Sequence, residues 1–478
     1  MNPTAELLQP EVIELIREGR FSELREALHH VPPADVADIF ASLDVKESAL
    51  AFRFLQRDDA GEVFSYLAPE RQEDLIHELG TEGAVRVIDA MEPDDRARLI
   101  DEVPAEVAQR IVASLSPENR KSTQAILGYP PRSVGRLMTP DYIRVRPGWT
   151  AAYAIDHIRR YGRDAETINM VYVVDDAGRL VDDLRLRRIL LASPEATIES
   201  LLSGSFISLR ADQPQEEAVD AMKRYDRYAL PVVDSRGLLV GIVTFDDVAD
   251  VAEQEVTEDI QKLGAVQALD ESFRSITARS LFIKRAPWLG LLFLSEILTT
   301  TTLNHYLSQI ERAVVLSTFV PAIMSSGGNS GSQASTLVIR ALALKEIELR
   351  DWWRILRREL LVGAALGALI GALGFLRIGL WGLLGLWTRI EIDPDTGNEI
   401  RNTSVQDHFS VMGVAIAVSL VGIVLWGSIM GSMLPFILKR CRLDPASSST
   451  PFVATLVDVT GILIYFTSAM LILRGTLL

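Results

Sequence analysis

The chain has one cysteine, Cys441, so no intramolecular disulfide can form. Its six histidines (His29, His30, His77, His157, His305, His408) are scattered and offer no zinc-ligand spacing beside a lone cysteine. No GxxxxGKS or GxxxxGKT run occurs, which removes a phosphate-cradling loop of that kind. Basic charge is in deficit: the net formal charge is −16, and a footprint for nucleic acid is lacking. The start, MNPTAELLQPEVIEL, has neither a basic nor an apolar leader region, so no cleaved signal peptide is expected. No acid–base or nucleophile constellation stands out, and the chain is not expected to be an enzyme.

What charge there is lies unevenly. From Pro287 onward there are 14 basic and 13 acidic residues, against 34 and 51 before it. The earlier part therefore carries nearly all the negative surplus and should attract cations. The later part contains five apolar stretches, roughly 287–308, 313–339, 359–385, 409–438 and 451–473. Each reaches the ~20 helical residues needed to span hydrocarbon. Runs such as GAALGALIGALG at 363–374 suit close helix packing in lipid. Lys284 and Arg285 precede the first stretch. Six basic residues from Arg340 to Arg358 separate the second and third, and Lys439, Arg440 and Arg442 separate the fourth and fifth. That bias predicts a five-helix transmembrane domain over 285–478 in the inner or plasma membrane. Its N-terminal side would be cytosolic and its C-terminus extracytoplasmic. The acidic segment 389–408 becomes an outer loop that attracts cations.

Before the membrane part, three segments differ in period. Over 1–130, Pro69, Pro93 and Pro117 recur with acidic residues behind them, each the signature of a helix start. An all-α helical solenoid is predicted there. Over 131–252, apolar strands, glycine turns and amphipathic helical stretches occur twice in the same order, at about 131–198 and 199–252, which predicts a duplicated α/β module. Over 253–284, Val256, Ile260, Leu263, Leu269, Phe273 and Ile276 recur near helical spacing and predict one connecting helix. The fold class is thus a multi-domain membrane protein.

Ionisable residues inside apolar stretches are costly and informative. They are Glu296, Arg377 and Asp458. Asp458 has Thr455 and Thr460 nearby and reads as a cation ligand lining a pore. The second stretch carries PAIMSSGGNSGSQAST, too polar to face lipid. Gly327 and Gly328 there allow either a broken helix offering carbonyls or a closely approached backbone. A carboxylate with carbonyl and amide oxygens is a hard ligand set, fit for Mg²⁺, Ca²⁺ or Mn²⁺, and few charges per subunit favour Mg²⁺. In a two-fold homodimer, two Asp458 side chains could share one axis.

The second α/β copy, LPVVDSRGLLVGIVTFDD, resembles a CBS (cystathionine-β-synthase-type) domain. With that order of parts, GGNSGSQ at 327–333 and LDPASSSTPFVATLVDVTG at 443–461, the whole chain resembles the MgtE family of magnesium channels or transporters. The resemblance implies a homodimer that passes Mg²⁺ down its gradient and is closed by cytosolic Mg²⁺. It makes Asp458 the pore ligand, with Ala454, Gly328 and Asn329 around it. It implies regulatory Mg²⁺ at Asp59, Asp94, Asp95, Asp212, Glu216, Asp226, Asp246, Asp247, Asp250, Glu255, Glu258, Asp259 and Asp444. It also implies ATP in the CBS pair, where Thr244 and Asp247 supply a hydroxyl and a carboxylate for a ribose. The first copy departs, having Arg185 and Arg188 at the corresponding positions. Ser332 stands where the family has Asn, and Pro214 where an acid is expected. Two other function classes remain open on the residues: an exchanger coupled to H⁺ or Na⁺, and a membrane-anchored nucleotide sensor.

Overall fold

The structure, a computed structural model, describes residues 3–269, 276–307, 314–384, 389–392, 399–402, 408–447 and 450–474. It forms two compact units, Met1–Glu255 and Val256–Leu478.

The first unit begins as packed helices. Those that matter below are α1 (Arg57–Ser65), α2 (Pro69–Ile88), α3 (Pro93–Glu102), α4 (Ala105–Ser114) and α5 (Pro117–Leu127). The prolines at 69, 93 and 117 each occupy the first helical turn, where a missing N–H leaves nothing unpaired. Acidic residues follow them and meet the positive end of the helix dipole. Gly80, at φ +69°, breaks α2 in the middle, a backbone state that glycine adopts without a Cβ penalty. Leu24, Ile39, Phe40, Phe52, Phe64, Leu75 and Ile88 fill one continuous core. Arg96, 1% exposed, ties α3 to α5 by donating to Thr123 Oγ1 (2.8 Å), and it also donates to the Met91 carbonyl before α3 (2.9 Å).

Two three-stranded sheets follow, β1–β2–β3 (Tyr142–Val145, Thr167–Val174, Leu180–Arg185) and β4–β5–β6 (Leu209–Arg210, Ala229–Val233, Leu239–Thr244). In each, the first pair is parallel and the second antiparallel, with helices α6 (Ala151–Tyr161) and α7 (Glu216–Tyr225) in the parallel crossovers. Strand alternation decides what β2 touches. Val171 and Val173 enter the core of their own copy, whereas Met170, Tyr172 and Val174 pack on Ala229, Leu239 and Ile242 of the other. Backbone bridges Thr139–Ile242 and Arg179–Leu238 lace the copies together.

Helix α8 (Phe245–Leu263) leads out of the second copy. It corrects the expectation of one helix over 253–284: the helix stops at Leu263, and a second one starts only at Ala278. Ala265 takes φ +57°, and the amides of Ala265 and Val266 turn back to the carbonyls of Lys262 and Gln261. That is a left-handed helix terminator, helped by the adjacent Gly264. Phe273 lies outside the described residues.

Among the described residues, the second unit has five long helices: α9 (Ala278–His305), α10 (Val320–Ala343), α11 (Trp352–Leu383), α12 (Phe409–Arg440) and α13 (Thr450–Leu473). Among the described residues, three segments are long and apolar enough to cross a membrane: Leu349–Leu383, Phe409–Arg440 and Thr450–Leu473. Helix α12 is central, packing on α10, α11 and α13. Gly327 and Gly331 of α10 face Gly427 and Gly431 of α12 so closely that a Cβ on either α12 glycine would strike an α10 carbonyl oxygen. Helix α10 runs unbroken through its glycines, so they serve close approach and not a gap in the helix. Ser330 and Ser428, both buried, hydrogen-bond across this crossing at 2.8 Å. The segment expected as an outer loop holds a short antiparallel pair, β7 (Arg389–Ile392) with β8 (Glu399–Asn402).

Candidate functional site

In the second unit, three residues singled out from sequence come together. A Cβ built on Gly328 would lie 3.4 Å from Ala454 Cβ and 3.8 Å from Asp458 Oδ1. The glycine on α10 thus leaves open the space above a carboxylate on α13. Asp458 is half-buried. Around it, Trp426 donates to Thr460 Oγ1 (2.8 Å), and Thr455 Oγ1 turns back to the Pro451 carbonyl (2.9 Å). Asn329 is exposed on α10 and donates to Ser325 Oγ at 3.3 Å. Ser332 donates to the Thr450 carbonyl at 3.3 Å, joining α10 to the start of α13. Arg377 lies over the ring of Trp381, 5.2 Å from its centre.

In the first unit, the acids at the end of the second α/β copy meet α3. Glu62, Tyr66, Glu92, Asp95, Arg98, Glu166, Asp246, Asp247 and Asp250 line a cleft of about 680 Å³. Gly61 allows α1 to lie against the backbone of Ala90 at its edge. Asp94 is buried and interacts directly with the Asp247 carboxyl, while its Oδ1 has no hydrogen-bond partner. Asp247 also accepts from Thr244 Oγ1 at 2.8 Å. Burial, with repulsion from Asp95, pushes the Asp94 carboxyl up to about 6. Burial and Asp94 hold Asp247 well above the carboxylate range. Burial and neighbouring acids raise Glu92 to about 8 and Glu166 to about 7. Such a cleft favours anything that neutralises it, whether a proton or a cation.

Several of the acidic positions already hold a cation from the chain. Arg98 reaches Asp95 (2.6 Å) and Asp250 (3.4 Å). Lys262 reaches Asp444 (2.8 Å) and Glu258 (3.6 Å), with Asp259 acting on it as well. Glu255 pairs with Arg132 (2.6 Å), accepts from Gln215 (3.2 Å) and repels Glu216. Asp212 is paired with Arg210, Asp226 is exposed at the left-handed end of α7, and Asp59 is half-buried on α1 beside Glu62. Among the described residues, no three histidine, cysteine or acidic side chains converge as ligands of one metal ion. The acids meet instead in pairs, a fit for a cation that keeps much of its water shell.

Sequence reasoning passed over Glu92, Glu166, Arg98 and Lys262. Glu92 opens the acidic EPDD run and was within reach of a charge-pattern argument. Glu166 carries no local signal and enters the cleft only through folding.

Between the two α/β copies, Arg185, Arg187, Arg188 and Asp183 of the first and Arg227 of the second line a cavity of about 460 Å³. Asp183 and Arg227 pair there at 3.1 Å. Arg185 and Arg188 thus put guanidinium groups at the two positions where the resemblance expects a hydroxyl and a carboxylate.

Comparison with known proteins covers all these parts. Residues 320–468 match the MgtE divalent cation transporter model, 31–132 the MgtE intracellular N domain, and 134–195 and 198–253 the CBS domain. The chain is 37% identical over 467 residues to the magnesium transporter MgtE of Thermus thermophilus, covering 97% of this chain and 98% of that one. It is 30% identical over 465 residues to the magnesium transporter MgtE of Bacillus subtilis, covering 97% of each. Among solved structures, the soluble part of a magnesium transporter matches with 25% identity and a TM-score of 0.51, over 52% of this chain and 99% of that one.

Proposed function

Because the chain belongs to the MgtE family of divalent-cation transporters, we propose that it carries Mg²⁺ across a membrane and that cytosolic Mg²⁺ closes the path. The observation that carries the transport reading is Asp458 beside Gly328 and Ala454. A carboxylate next to a residue without a side chain gives a hydrated divalent ion both charge and room. All five long helices of the second unit cross the bilayer in this reading, with the N-terminal side cytosolic and Leu478 outside. The protein acts as a homodimer, so that two Asp458 side chains share the ion and do not simply repel each other.

Gating follows from the acidic cleft. Without a cation, the Asp94–Asp247 contact and the neighbouring Glu92, Glu166 and Asp246 oppose compaction. A divalent ion bound only to the compact arrangement stabilises it by mass action. Falling cytosolic Mg²⁺ removes that support. Helix α8, which starts at Phe245 beside these acids, continues covalently into the second unit. No step depends on a nucleotide.

The test is Mg²⁺ flux into proteoliposomes carrying the full chain. Asp458→Asn is expected to reduce flux about tenfold or more, since a focused charge raises the local concentration of ions by about that factor. Flux equal to that of the parent would overturn the pore assignment.

A further inference from the structure

Glu296 is exposed on α9 amid exposed Leu289, Phe293, Leu294, Ile297 and Leu298. A carboxylate on an apolar helix in the bilayer cannot be left to lipid and must face water or protein. Three observations fix where it faces. First, α9 packs against α13, and Tyr306 at the end of α9 stacks on Phe466 of α13 at 4.8 Å. At ~1.5 Å per residue, Glu296 lies ~15 Å back from Tyr306, and Asp458 ~12 Å back from Phe466, so the two acids stand at nearly the same height. Secondly, Glu296 lies near enough to Asp458 for the two carboxylates to repel each other. Thirdly, Thr299, one turn along α9 from Glu296, is 5% exposed, and its Oγ1 has no hydrogen-bond partner. Thr300, Thr301 and Thr302 each return their hydroxyl to the helix carbonyl four residues back. Thr299 alone in that run keeps its oxygen uncommitted, and it is the buried one of the four.

We propose that Glu296 is a second acidic group of the ion path, a specificity-determining residue that, with the Thr299 hydroxyl, favours a hydrated divalent cation beside Asp458. The inference rests on the pore reading of Asp458. The carboxylate raises the local concentration of divalent ions and gives a monovalent ion about half the benefit, since the attraction scales with the charge of the ion. Its role is in capture, so its loss appears in half-saturation before it appears in maximal flux.

The experiment is Mg²⁺ uptake by full-length protein in proteoliposomes, with half-saturation and maximal flux measured separately. Glu296→Gln should raise the half-saturating Mg²⁺ concentration by about fivefold or more, while Glu296→Asp stays within about twofold. In a Cys441→Ser background, Glu296→Cys should be restored by a sulfonate-bearing thiol reagent and weakened further by an ammonium-bearing one. If Asp458→Asn is inactive while Glu296→Gln saturates like the parent, the inference fails and the pore reading stands. If Asp458→Asn transports like the parent, both fail. Should Glu296→Gln not fold, judged by gel filtration, the thiol-reagent pair decides, and equal effects of the two reagents overturn the inference.

Discussion

The ammonium of Lys262 lies 2.8 Å from the carboxylate of Asp444, 182 residues further along the chain. It joins the end of α8 to the turn before α13 with a cation supplied by the protein itself. Glu258, one turn back on α8, is the second acid it serves, at 3.6 Å.

Replacing Lys262 should expose what it neutralises. In Lys262→Gln, Glu258 and Asp444 both lose the ammonium that reaches them, and the end of α8 should loosen in Mg²⁺-free buffer. Hydrogen exchange of the amides from Val256 to Leu263 is expected to rise about threefold or more and to return toward the parent rate when Mg²⁺ is added. Exchange that ignores both the substitution and the ion would show that this contact holds nothing.

The cleft around Asp94 and Asp247 predicts a pH dependence with a definite sign. Asp94, Asp247, Glu92 and Glu166 are held above their unfolded values, so the folded state binds more protons than the unfolded one between about pH 4 and about pH 8. Stability is then fully present below that window and lost as pH rises through it. Calorimetry of the full chain without divalent ions should place the melting transition of the first unit higher at pH 5.5 than at pH 8. The double variant Asp94→Asn, Asp247→Asn should flatten the slope. A melting temperature that climbs over the same range would contradict the reading.

The crossing of α10 and α12 predicts a contrast between glycines. Gly431→Ala puts a methyl group onto the Gly331 carbonyl, and backbone cannot swing aside as a side chain can. A loss of about 1–3 kcal/mol is expected, as for overpacking in a core. At Gly379 of α11 the same change meets nothing within 4 Å and should be neutral or stabilising by up to about 1 kcal/mol. Thermal stability in detergent, followed by gel filtration, separates the two; equal losses would mean that the close approach is not what limits Gly431.

Much of this architecture was legible in the residues because it rests on local chemistry. Pro69, Pro93 and Pro117 start helices, and the alternation in MVYVV places Val171 and Tyr172 on opposite faces of one strand. The end of α8 was missed because the apolar spacing of Val256, Ile260 and Leu263 continues past it. The stop is set by the backbone at Gly264 and Ala265, where periodicity is blind. Gly328, Ala454 and Asp458 could be gathered from motif resemblance, and they lie together in the fold. The partners of the acids proposed to be regulatory could not be read that way. Arg98 meets Asp250 across 152 residues, and no pattern of spacing encodes such a contact.

Arg98, sitting between Asp95 and Asp250, has a consequence for how sharply the protein would respond to its ion. An acid satisfied by a guanidinium does not need a metal, so it adds nothing to the number of ions taken up on closing. The steepness of a binding-driven transition is bounded by that number. With Arg98, Arg132 and Lys262 each occupying acids of the proposed sensor, the response to Mg²⁺ should be graded, with a Hill coefficient well below the count of acidic residues. Removing one of these built-in cations would then steepen the response as well as shift its midpoint.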